Sequence, residues 1–351
     1  MVSFKRPVAL ATRSRVSVVV PCYNYGHYLP QLTQYLLDQP GVDVDILIVD
    51  DASPDGSADV ATRLAAGDSR ISVLKHAVNQ GHIQTYNDGL SRVTGDYIVL
   101  LSADDLLPRG ALARAVALME RHHSVGFVYG YARSFSGEPP EVEARVRNWT
   151  VWPGLQWLRA SARQGRCLIS SPEVVMRADA LHDVGLYDPR LPHSGDFDMW
   201  LRTAARWDVG RVNGPVQALR RVQEVDRHLT ARAGMLADLA ERRRAFELLF
   251  TEHEPDRLEI GRLRTPARRA LARESLRHAL NAHREQEPRD LVLGHIDFAL
   301  ETDPSVESTL LFQWCEIGPL ADRRLPAASA RRLAAQARHH LLWRRDRRYG
   351  T

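Results

Sequence analysis

Short apolar runs, separated by stretches in which apolar residues recur every three or four positions, fill the first part of the chain. The run Val16–Val20 reads as a buried strand, and Leu29, Leu32 and Leu36 follow at helical spacing. Ile46–Val49, Ile71–Leu74 and Tyr97–Leu101 read as further strands, with helical stretches around Ser57–Ala66 and His82–Arg92 between them. Pro108 is expected at the first position of a helix reaching about Glu120, with Gly126–Tyr129 as the next strand. This alternation predicts a mostly parallel sheet covered by helices, an α/β fold. Residues 131–166 predict a loop, then a helix near Gly154–Ala162; Trp149, Trp152 and Trp157 either stack on a ligand or fill the core. Strand-like Glu173–Met176, a turn through Gly185 and a helix from Asp196 to about Ala205 come next. From about Asp226 onward only helical patterns remain, over 234–253, from Thr265-Pro266 onward, over 289–301 and over 328–345. The expected organisation is a flexible arm (1–15), an α/β domain (16–225) and a C-terminal helical region (226–351).

Composition narrows the class. The 351 residues are 44% hydrophobic and 26% charged, values of a globular protein rather than a disordered or fibrous one. The longest apolar runs fall short of the ~20 residues of a membrane span, and residues 1–15 lack a secretory apolar segment, so a cytoplasmic protein is expected. Cys22, Cys167 and Cys315 lie far apart, which suits neither a disulfide framework nor a zinc knuckle. The net charge is +4, and lysine occurs only at Lys5 and Lys75. An arginine preference this uniform reads as genome composition, with phosphate and carboxylate recognition as the alternative. Arg344, Arg345, Arg347 and Arg348 make a basic tail, either a solvated helix end or a peripheral contact with anionic membrane.

In an open parallel sheet, ligands sit beyond the carboxyl ends of the strands. The loops there read Pro21-Cys22-Tyr23-Asn24-Tyr25, Asp50 to Ser57, Asn79-Gln80-Gly81, and Ser102-Ala103-Asp104-Asp105. Asp50 and Asp51 end an apolar strand. A carboxylate there accepts from a base N–H or a ribose hydroxyl, or else Asp51 and Ser53 close an Asx turn while Ser57 caps the next helix. Asp104 and Asp105 suit a hard cation, Mg²⁺ or Mn²⁺, that would hold a diphosphate; equally they suit the cap of the following helix. Neither a Walker loop nor a Gly-x-Gly-x-x-Gly turn is present, so P-loop hydrolysis and ordinary dinucleotide binding fit poorly. Nor is there a recognition element for nucleic acid. Asp196 follows Gly195 at an expected helix N-terminus, where the dipole favours an ionised carboxylate able to take a proton, unless it simply caps that helix. Arg202 is placed to pair with Asp198 across one turn.

Val18 to Asn24, Val49 to Ser57, Asn79-Gln80-Gly81 with Asn87-Asp88-Gly89, and Leu100 to Asp105 together resemble glycosyltransferase family 2, of the GT-A fold, over residues 16 to about 222. The resemblance implies that Pro21, Tyr23, Asn24, Asp50, Asp51 and Asn79 hold the base and ribose of a nucleotide diphosphate sugar. It implies that Asp104 is a metal ligand and donor contact, with Asp105 beside it, and that Asp196, in His193 to Arg202, is the general base of an inverting transfer to a hydroxyl acceptor: a glycan, a lipid-linked sugar or a natural product. Two departures accompany it. Ser102 stands where the family's metal motif begins with an acid, and Gln223 where it often has a metal-binding histidine, with His228 five residues beyond. The alternative function is a degenerate GT-A module that binds a nucleotide sugar without transferring it.

Overall fold

The computed structural model describes residues 2–222, 234–254 and 256–316. In chain order the elements are β1 (Ser3–Lys5), β2 (Arg15–Cys22), α1 (Leu29–Leu37), β3 (Asp43–Asp50), α2 (Ser57–Gly67), β4 (Ile71–Lys75), α3 (His82–Leu90), β5 (Tyr97–Leu100), α4 (Ala111–Arg121), β6 (Val125–Phe135), β7 (Asn148–Trp152), α5 (Gly154–Gln164), β8 (Val175–Arg177), α6 (Ala178–Val184), α7 (Gly195–Arg206) and β9 (Asp208–Arg221). Helices α8 (Gly234–Leu248), α9 (Leu258–Gly261), α10 (Arg264–Arg284), α11 (Arg289–Thr302) and α12 (Leu310–Glu316) follow. Gln223, His228, the 328–345 helix and the basic tail fall outside the described residues.

The nine strands form one sheet in the order β1-β7-β9-β6-β8-β5-β2-β3-β4. β2 runs parallel to β3 and β5, and β3 to β4. The apolar run of β2 belongs to a strand covered on both faces: Val16, Val18, Val19 and Val20 are all fully buried. One face packs on Leu29, Leu32 and Leu36 of α1 and on α4. On the other, α3 approaches so closely that a Cβ on Gly89 would lie 2.4 Å from Val19 Cγ1. β8 is antiparallel to both β5 and β6, so β6 and its parallel partner β9 point the same way as β5. One edge of the sheet therefore gathers the carboxyl ends of β2, β3, β5 and β9 together with the segment entering β8.

Three features depart from the sequence expectations. Pro108 does not open α4: its carbonyl accepts the Ala111 N–H (2.9 Å), and the helix begins after Gly110 in left-handed backbone. The cause is Leu106, which pairs with Leu219 through two backbone hydrogen bonds and keeps the chain extended and buried through Leu107. The stretch left as a loop contains β7, antiparallel to β9, with Trp149 and Trp152 buried. Residues left as an arm include β1, which pairs with β7.

The chain divides into two compact units, residues 1–157 with 169–226, and 158–168 with 227–351. In the second, α10 and α11 share a core of Ala272, Leu276, Ala299, Val306 and Phe312. Buried Arg242 there bonds Glu274 (3.1 Å), Asp238 (2.8 Å) and the Gly165 carbonyl (2.7 Å). No helix among the described residues is long and apolar enough to cross a membrane.

Candidate active site

The loops at this edge are held in unusual backbone. Asn24 (φ 61°) after β2, Ala52 (φ 57°) after β3 and Ser171 (φ 59°) before β8 all adopt left-handed conformations that side chains disfavour. Such residues persist where surrounding bonds over-determine them, and they concentrate at functional sites.

At the ends of β2 and β3 the two neighbouring carboxylates do different work. Asp51 is sealed: its oxygens accept from His76 Nδ1 (2.8 Å), Gln80 N (2.8 Å) and Gly81 N (3.0 Å). Burial opposes its ionisation, but these bonds outweigh it and hold the carboxyl below its ordinary range. Behind it, His76 Nε2 lies 3.1 Å from Asp88. Asp50, 2% exposed, accepts only the Ser53 N–H on Oδ2 (3.2 Å), and its Oδ1 is buried with no donor. Asn24 Oδ1 is also buried without a donor, while the Asn24 N–H reaches Ser53 Oγ (3.1 Å). The Asx-type turn is thus closed by Asp50 rather than Asp51. Ser57 does not cap α2, whose N-cap is Gly56; its hydroxyl accepts from Gly26 N (2.8 Å) and donates to Asp55. Any Cβ on Gly26 would meet Ser57 Cα at 2.5 Å. Pro21 pairs with Val49 inside the sheet, Tyr23 is 46% exposed, and exposed Asn79 caps the Gly81 N–H (3.1 Å).

After β5, Asp105 turns inward: its Oδ1 accepts the Arg221 N–H (2.9 Å), and burial plus the adjacent Asp104 charge push its carboxyl up to about 7. Asp104 is partly exposed. Arg221, at the end of β9, ties this loop down, donating to Asp104 O (3.2 Å), Gly137 O (2.9 Å) and Gln31 Oε1 (2.7 Å). Its guanidinium lies between the rings of Tyr28 (4.7 Å) and Phe135 (4.5 Å).

Asp196 stands in the first turn of α7. Oδ1 accepts from the Tyr187 hydroxyl (2.8 Å) and Oδ2 from Ser171 Oγ. Asp198, on the same helix, is fully buried and ion-paired with Arg202 (2.7 Å), the pairing its spacing predicts. The guanidinium of Arg202 also holds the carbonyls of Val184 and Leu186, so it is a structural residue of α7. Tyr86 on α3 meets Tyr187 edge to face, centroids 5.5 Å apart. Burial, and then the charges of Asp196 and Asp104, push the Tyr86 phenol well above its ordinary value. Asp104 and Asp196, 92 positions apart in sequence, therefore act on one hydroxyl. A small cavity of about 30 Å³, lined by Ser171, Tyr187, Asp196 and Trp200 among apolar residues, lies behind Asp196 and includes neither Asp51 nor Asp104.

Sequence reasoning missed Tyr86, Ser171, Tyr187 and His76. His76 directly follows β4, but none of the four belongs to a recognisable motif, and only the tertiary contacts show their partners. Among the described residues no three His, Cys, Asp or Glu side chains come together in a way that would hold a metal ion.

Comparison with known proteins adds the following. Residues 17–177 match the family described as "Glycosyl transferase family 2". The chain is 30% identical over 122 residues to "Glycosyltransferase GlyG" of Streptococcus pneumoniae serotype 4, covering 34% of this chain and 40% of that protein. It is 30% identical over 133 residues to "Uncharacterized glycosyltransferase EpsJ" of Bacillus subtilis, covering 37% of this chain and 38% of the relative. Both matches span less than half the length of these relatives. Among solved structures, S. aureus TarS 1-349 in complex with UDP-GlcNAc is similar at TM-score 0.60 and 17% identity, over 91% of this chain and 92% of that one. The mannosyltransferase PcManGT from Pyrobaculum calidifontis, in complex with GDP-Man and Mn²⁺, is similar at TM-score 0.57 and 17% identity, over 90% of this chain and 87% of that one. At such identities the likeness is one of fold, and the fold is GT-A with C-terminal helices. Residues 17–177 are thus similar in sequence to a family 2 glycosyltransferase domain.

Proposed function

We propose that the chain transfers a sugar from a nucleotide diphosphate sugar to an acceptor hydroxyl with inversion at the anomeric carbon. The observation that carries this reading is that the charges of Asp104 and Asp196 both bear on the buried Tyr86 phenol, which supports a site with a leaving-group carboxylate and a base near each other. Asp50 Oδ1 and Asn24 Oδ1, buried acceptors without donors, suit the N–H of a base or a ribose hydroxyl. Exposed Tyr23 is placed to stack on that base, and Pro21 and Asn79 border the same loops. Asp51 preorganises Gln80 and Gly81 beside them. UDP-GlcNAc and GDP-Man in the structural neighbours accord with such a donor.

A hard divalent cation, Mg²⁺ or Mn²⁺, would be held by Asp104, whose loop Asp105 and Arg221 fix. Such an ion supplies charge stabilisation to the leaving diphosphate when bound. Asp196 removes the acceptor proton as the hydroxyl attacks from the face opposite the diphosphate. Titration calorimetry with a panel of UDP- and GDP-sugars, with and without Mn²⁺, followed by a hydrolysis assay, tests the reading. Asp196→Asn and Asp104→Ala are expected to lower turnover at least ~100-fold without unfolding the chain. Near-wild-type turnover in either variant removes that residue from its role. Binding without turnover in the unmodified protein would instead leave a nucleotide-sugar-binding module, the alternative that Ser102 favours.

A further inference from the structure

We propose that Ser171 and Tyr187 are positioning residues for Asp196, two hydroxyls that fix its carboxylate for proton removal, with Asn87 holding Tyr187 in place. The proposal rests on the reading of Asp196 as general base. Each oxygen of Asp196 receives one neutral O–H donor, Tyr187 on Oδ1 (2.8 Å) and Ser171, from the segment before β8, on Oδ2. Two such bonds stop the carboxylate rotating and leave one lone pair on each oxygen for the acceptor hydroxyl.

The supports are themselves fixed. The Asn87 side-chain amide pairs with the backbone of Tyr187 as a neighbouring strand would: Tyr187 N donates to Asn87 Oδ1 (2.9 Å), and Asn87 Nδ2 donates to Tyr187 O (2.9 Å). Ser171 is held at φ 59°, its carbonyl accepting from Val174 N (2.9 Å), while Ser170 N bonds Glu173 (3.0 Å). A serine keeps this disfavoured backbone where the placement of its hydroxyl requires it. Burial, and then the Asp196 charge, drive the Tyr187 phenol far above its ordinary range, so it remains a donor throughout the working pH range.

Other titratable groups near Asp196 do not supply these bonds. Tyr86 faces it from α3 and stacks on Tyr187, Glu173 in the Ser171 loop acts on Asp105, and Asp198 on α7 is paired with Arg202. In the step served, the acceptor O–H bond breaks and its proton passes to Asp196. The acceptor oxygen bonds the anomeric carbon, and the bond from that carbon to the diphosphate oxygen breaks with its electron pair leaving on the diphosphate.

The test uses the full chain labelled with ¹³C-aspartate, in which the carboxyl resonance lost in Asp196→Asn identifies Asp196. Tyr187→Phe and Ser171→Ala are each expected to displace that resonance, because each removes a hydrogen-bond donor from one carboxylate oxygen. Ser171→Gly, which relaxes the left-handed backbone, should give the same shift as Ser171→Ala and keeps the test open if the alanine variant fails to fold. In hydrolysis of the nucleotide sugar that the calorimetric panel selects, the same variants should lose kcat several-fold with donor KM within about twofold. An unchanged resonance, or a displaced resonance with full turnover, overturns the proposal. Full turnover in Asp196→Asn overturns the general-base reading instead, whatever the resonances do.

Discussion

Arg221 grips the backbone of the Asp104 loop. It donates to the Asp104 backbone carbonyl, while its own N–H holds the Asp105 carboxylate. A lysine keeps the charge and the backbone bond but loses the planar fork that reaches Gly137 and Gln31 and the stacking between Tyr28 and Phe135. We therefore expect Arg221→Lys to cost ~1–2 kcal/mol of stability and to lower turnover roughly tenfold, by loosening the Asp104 loop. Urea unfolding and the hydrolysis assay check this; a variant as stable and active as wild type would show that the fork is dispensable. At the same scale, sequence marked Asp50 and Asp51 as equivalent candidates, and contacts separate them. Three hydrogen bonds occupy Asp51, whereas Asp50 keeps a buried oxygen without a donor. Asp50→Ala should accordingly weaken nucleotide binding more than its small structural role, one bond to Ser53, suggests.

Elements carry their own constraints. α3 lies so close to the sheet that a methyl at position 89 would meet Val19 Cγ1 at 2.4 Å and Val49 Cγ2 at 3.1 Å. Gly89→Ala should therefore destabilise by ~1–3 kcal/mol despite alanine's better helix propensity, a sign that thermal unfolding can read directly. In the helical unit, His295 is buried beside Ser275 (Oγ to Nδ1 3.0 Å), and burial, then the His278 charge, push it down from 6.5 to about 4. Because the unfolded chain takes up this proton first, the stabilising contribution is complete above pH 6.5 and is lost as the pH falls toward 4, by up to ~3 kcal/mol. Urea midpoints measured from pH 7 to pH 4 should fall in wild type and fall less in His295→Gln; equal slopes would assign the acid sensitivity elsewhere. Strands β2 and β5 were legible because both faces are buried and the apolar run is continuous. β7 was not, since Asn148–Trp152 owes its strand character to pairing with β9, a partner more than fifty residues away.

For the whole molecule, a ligand that binds only the folded state stabilises by mass action. The nucleoside diphosphate of the true donor, at 100 times its Kd, should add ~2.7 kcal/mol and raise the melting temperature of the unit that contains Asp50. Asp50→Ala should abolish most of that shift, and no shift with any of UDP, GDP or dTDP would sink the assignment of the β2 and β3 loops to base and ribose. The sequence by itself determined the alternation of strands and helices, the loops that border the site and the acidic positions within them, because periodic burial and turn chemistry are written locally along a chain. Only the tertiary structure decided which acid does what. β8 enters antiparallel between β5 and β6 and so turns β9, with Arg221, toward Asp105; α3, the loop after α6 and the segment before β8 bring Asn87, Tyr187 and Ser171 around Asp196. Those partnerships depend on strand order and direction, which local periodicity does not encode, since hydrogen bonds join residues by proximity in space and not by spacing along the chain.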